Sequence, residues 1–118
     1  MQKEPQPDIL GKDEAIRLFL AMIQSKLDDE SYQIVDHWDA SLVSIGIAKP
    51  GEPDILVYVT TLGQPEGCYG YECEIPSENP DEFPFQTVAE GDGVNFETMV
   101  EIIRKHLKIE SSKNGVDF

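Results

Sequence analysis

Ile55-Leu56-Val57-Tyr58-Val59-Thr60-Thr61-Leu62, then Gly63-Gln64-Pro65-Glu66-Gly67, then Cys68-Tyr69-Gly70-Tyr71-Glu72-Cys73-Glu74-Ile75 is the stretch on which the fold turns. The first run is rich in β-branched and aromatic residues and apolar on both faces, the pattern of a central strand. The five residues after it carry two glycines and a proline, which suits a hairpin loop. The third run alternates, as a strand returning antiparallel beside the first would.

Working outward, Tyr32 to Trp38 and Leu42 to Ala48 form two earlier strands, separated by Asp39-Ala40-Ser41. Lys49-Pro50-Gly51-Glu52-Pro53-Asp54 makes the turn into the central strand. Beyond the hairpin, Pro76 to Pro84 is a loop, Phe85 to Glu90 a short fifth strand, and Gly91-Asp92-Gly93 a break. Helices close both ends. Ile16, Phe19, Leu20, Ile23 and Leu27 make one apolar stripe between Lys12 and Leu27. Phe96, Met99, Val100, Ile103 and Leu107 make another behind an Asn95 N-cap, with Val94 placed to staple onto Met99. Glu97 opens that helix and Arg104, Lys105, His106 and Lys108 close it, in the sense the helix dipole favours. The expected fold is α+β, a two-layer sandwich. An antiparallel meander of four or five strands carries an N-terminal and a C-terminal helix on one face. Residues 1–118 form one domain, with 1–10 and 111–118 as loose ends.

Alternation then divides the sheet. Tyr69, Tyr71, Cys73 and Ile75 share one side with Val43, Ile45 and Ile47, and these bulky residues belong under the helices. The other side carries Ser44, Gly46, Ala48, Gly70, Glu72 and Glu74, a small, flat and acidic surface that is either solvated or a docking face.

Charge is the strongest compositional feature. The 118 residues hold 23 acids against 9 Lys and Arg, for a formal net charge of −14. Between Lys49 and Arg104 there is no Lys, Arg or His, while twelve acids occur there. Such a surface repels nucleic-acid phosphates and anionic membranes and attracts basic proteins. No apolar run approaches the roughly 18 residues of a membrane span, and Met1 to Asp8 lacks the apolar core of a secretory signal. Cys68 and Cys73 on one strand would lie roughly 16 Å apart on opposite faces, beyond the roughly 7 Å a disulfide allows. Reduced thiols and no signal sequence point to the cytoplasm.

Chemistry-bearing motifs are sparse. Asp36-His37-Trp38-Asp39 is a compact cluster of catalytic-type residues, but on a strand His37 points away from both neighbours. Glu72 and Glu74 fall about 7 Å apart on one face, a spacing that suits glycoside-cleaving acids, yet so short a chain leaves little room for a sugar cleft. No phosphate-cradling glycine loop, nucleophile with an adjacent base, or metal-ligand cluster occurs, so no metal or cofactor is expected. Three functional readings remain. In the first, the chain is a non-enzymatic acidic interaction protein of immunity, inhibitor or adaptor/chaperone type. It binds a basic protein through Glu66, Glu72, Glu74, Glu78, Asp81, Glu82 and Phe83, with Phe83 as an aromatic anchor. In the second, His37, Trp38, Asp39, Tyr69 and Tyr71 line a small-ligand or catalytic site. In the third, the small-residue sheet face joins copies of the chain.

Overall fold

The computed structural model describes residues 9–36, 41–79, 81–82 and 84–109. Its elements, in order, are α1 (Glu14–Lys26), β1 (Gln33–Val35), β2 (Ser44–Lys49), β3 (Glu52–Thr60), β4 (Cys68–Pro76), β5 (Phe85–Asn95) and α2 (Phe96–Leu107). The strands form a five-stranded antiparallel meander in chain order, β1-β2-β3-β4-β5. Both helices pack on one face of it. The fold is therefore the α+β arrangement expected from the sequence, with the run after Pro53 in the central strand.

One apolar core fixes the side on which the helices lie. Ile16, Phe19 and Ile23 of α1 and Met99, Ile103 and Leu107 of α2 share it with Ile45, Ile47, Val57, Val59, Tyr69 and Cys73 of the sheet. The Phe19 ring sits 4.8 Å from that of Tyr69 and 5.9 Å from that of Phe96, which ties α1, β4 and α2 at one point. The Asn95 side chain accepts a 2.9 Å hydrogen bond from the Thr98 N–H, the N-cap foreseen for α2. At the other end, His106 Nε2 donates to the Glu74 carbonyl at 2.8 Å and pins the last turn of α2 to β4.

Several element boundaries differ from the sequence expectation. α1 starts at Glu14 rather than Lys12, because Lys12 turns inward: its Nζ lies 3.0 Å from Asp36 Oδ1, both side chains nearly sealed from solvent. β1 is confined to Gln33–Val35; the expected continuation through His37 and Trp38 lies outside the described residues. β3 begins at Glu52, since Pro50-Gly51, with Gly51 at φ 76°, suffices to reverse the chain.

The largest difference is β5, which runs unbroken from Phe85 to Asn95 and hands directly to α2. Gly91 and Gly93 do not end the strand. They accommodate one of two register shifts against β4, between Tyr69 and Tyr71; the other lies between Cys73 and Glu74. Gly93 adopts φ 65°, the left-handed conformation of a bulge glycine. Gly91 lies under the Tyr71 ring, where an added Cβ would fall 2.8 Å from a ring carbon.

Candidate functional site

The outer face of the sheet, away from both helices, has two halves. The first is β2 with its neighbours. Ser44, Gly46 and Ala48 project outward as the alternation requires, yet all three are buried. The register explains this: Gly46 lies between Val35 and Tyr58, and Ala48 between Gln33 and Leu56. Large cross-strand partners close over small ones, and Val35, Ala48 and Leu56 form a second apolar cluster with Tyr58 and Phe85 against it. Ser44 Oγ lies 2.9 Å from the Tyr58 hydroxyl and 3.3 Å from Thr60 Oγ1, so its polar group is satisfied in place. The exposed, flat small-residue surface expected from the sequence is thus covered from within the chain.

The second half is the β4–β5 ribbon, and it is acidic. Glu72 pairs directly across from Glu90, and Glu74 from Thr87. Asp92 joins them at the far end, where its carboxylate accepts a 3.4 Å hydrogen bond from Gln64 Nε2. The same Gln64 accepts a 2.7 Å bond from the Gly93 N–H, which ties the β3–β4 loop to the bulge that turns Asp92 outward. Tyr58, Thr60, Gly70, Glu72, Glu90 and Asp92 line a cleft of about 240 Å³.

Glu72 stands close enough to Glu74 to disturb it. Burial raises the Glu74 carboxyl above its ordinary value, and the charge and hydrogen bonding of Glu72 raise it further. Like charges placed directly across a ladder, as in Glu72–Glu90, destabilise it. No ion pair relieves Glu72, Glu74, Glu90 or Asp92 among the described residues. The cations are elsewhere. Apart from Lys49, which pairs with Glu52 at 3.6 Å, the described Lys and Arg lie on or beside the two helices. Arg104 stays within 3.9 Å of Glu101 on its own helix.

The proposed partner-binding residues do not all converge. Glu72 and Glu74 sit together on the outer face. Glu78, Asp81 and Glu82 are exposed in the β4–β5 connection at one end of the ribbon. That connection is closed by a 3.3 Å bond from Ser77 N–H to the Pro84 carbonyl and by a turn from Glu82 N–H to Asn79 O. Glu66 lies at the opposite end, lining a groove of about 530 Å³ between α1 and the β3–β4 loop. Phe83 lies outside the described residues. Glu90 and Asp92, absent from the sequence-based set, complete the outer face. Their signal was the spaced glycine pair Gly91 and Gly93, which marks a bulge as readily as a break.

The alternative ligand site is not assembled among the described residues. His37, Trp38 and Asp39 fall outside them. Tyr69 is buried against Phe19 in the core, and burial raises its hydroxyl pKa, with the neighbouring Cys68 adding to the shift. Tyr69 lines the groove beside α1, whereas Tyr71 lines the acidic cleft and a second, apolar hollow with Val88, Ile102 and His106. Cys73 is buried and its thiol is pushed up to about 11, by desolvation first and Glu74 second, which keeps it protonated and unreactive. Among the described residues no group of His, Cys, Asp and Glu is disposed to hold a metal, and no helix is long and apolar enough to cross a membrane. No protein-family model, curated protein or solved structure matches this chain.

Proposed function

We propose that this chain is a non-enzymatic interaction protein that holds a basic protein partner on the outer face of its β4–β5 ribbon. The observation that carries the reading is the set of four carboxylates, Glu72, Glu74, Glu90 and Asp92, held on one ordered face with no ion pair to any of them among the described residues. Acids crowded in this way raise the free energy of the unbound protein, and a Lys or Arg from a partner relieves the repulsion. The acids of residues 78–82 extend the attractive field along the approach. An immunity protein, an inhibitor and an adaptor or chaperone would all use such a surface. The neighbouring Tyr58 and the half-buried Phe85 supply apolar contact next to the charge.

The test compares two immobilised proteins, the wild type and Glu72→Gln/Glu74→Gln/Glu90→Gln, exposed to native lysate at about 50 mM salt and washed at about 500 mM. A basic protein retained by the wild type, released by salt and ignored by the triple variant is the expected result. Retention that survives salt and is equal on both columns contradicts the proposal.

A further inference from the structure

Among the described residues β5 is the last strand of the sheet and is paired on one side only, with β4. No residue of it is buried. Among the described residues, apart from the β4 ladder, the one backbone hydrogen bond made from Gln86 to Val94 is the Gly93 N–H to Gln64. In an antiparallel edge strand, alternate N–H and C=O groups turn away from the ladder, and such a row is a template for another strand. The opposite edge differs: β1 is three residues long, and Gln33 and Ile34 have further partners.

The two sides of β5 also differ in chemistry. On the outer side are Glu90 and Asp92, with Glu72 across the ladder. On the helix side are Val88, half-exposed, and Ala89, in a hollow with the partly buried Ile102 and with Lys105 and His106 of α2, so aliphatic rather than cationic side chains suit this side. An extended segment that alternates Lys or Arg with aliphatic residues matches both sides at once, cations toward the acids and aliphatics toward Val88 and Ala89. A second copy of this chain matches neither: antiparallel self-pairing about the middle of β5 sets Glu90 against its own counterpart, with Asp92 beside it. The two register shifts frame Ala89–Gly91, so regular pairing is short and charge must supply much of the affinity.

We propose that β5 is a β-augmentation site that receives an extended, alternately basic and aliphatic segment of the partner as a sixth strand. This rests on the acidic-face reading and specifies how the partner is held. The test uses a synthetic peptide of about ten residues alternating Lys and Val, and two derivatives N-methylated at every other backbone nitrogen, one in each phase. All three carry the same charge. Calorimetric titration measures affinity, and amide hydrogen exchange reports where the peptide lies. A peptide paired as a strand presents one phase of N–H groups to β5, so one derivative loses about tenfold or more in affinity while the other keeps it. Exchange slows between Gln86 and Asp92. Equal binding of all three overturns the added strand and leaves the acidic face standing as a purely electrostatic surface. Failure of all three to bind, protection confined to segments other than β5, or dimerisation of the free protein through β5 at low salt also overturns it.

Discussion

In Glu74 a single side chain links stability to the proposed binding. Its folded pKa is raised, first by burial and then by Glu72, so between the unfolded and folded values the native state holds more proton. The stability this residue contributes is present below the unfolded carboxylate pKa and is lost as pH rises through the folded one. Glu74→Gln should therefore unfold at a higher urea concentration than the wild type at neutral pH, and the gap should close as pH falls below the ordinary carboxylate range. A partner ammonium favours the charged form, so binding should weaken over the same descent, measured by titration at stepped pH. The Lys12–Asp36 pair is nearly sealed from solvent. Lys12 Nζ also donates to the Ser41 carbonyl, so this side chain ties the start of α1 to the segment that enters β2. Lys12→Met leaves the Asp36 carboxylate in a nearly sealed site and should cost about 3 kcal/mol in urea unfolding.

At the scale of elements, α2 was legible almost to the residue. Its cap, period and terminal charges are local signals that agree with one another, and Asn95→Ala should cost about 1 kcal/mol in thermal or urea unfolding. The central position of β3 was legible too, because an apolar run on both faces needs cover on both. The start of β5 at Phe85 was legible, but its continuation past Glu90 was not, because a bulge is a relation between two strands and Gly91-Asp92-Gly93 alone cannot distinguish it from a break. Nor was the burial of Ser44, Gly46 and Ala48, which depends on register: only the pairing reveals that Val35, Leu56 and Tyr58 flank them. The site shares this division. Glu72 and Glu74 follow from alternation within one strand, whereas Glu90 and Asp92 required the bulged ladder. The Glu72–Glu90 pair yields a prediction in which stability and function part. Glu90→Lys turns a like-charged cross-strand pair into an opposite one, so the variant should gain about 0.5 kcal/mol in urea unfolding and bind the basic partner less tightly.

Across the whole molecule, charge is sorted by layer. The described cations other than Lys49 belong to the helix side, and the β4–β5 ribbon presents acids on the opposite face, so the net charge of −14 is not spread evenly. Fields of this kind speed encounter with a cationic partner and fade with ionic strength. The most direct measurement is the salt dependence of the dissociation constant for the basic protein retained by the wild-type column, taken in parallel with wild type and Glu72→Gln/Glu74→Gln/Glu90→Gln. From about 50 to about 300 mM salt the wild-type constant should rise about tenfold, while binding to the variant should be too weak to titrate at any of these salts. A wild-type constant indifferent to salt, or a variant that follows the same slope, would contradict the assignment of binding to this face.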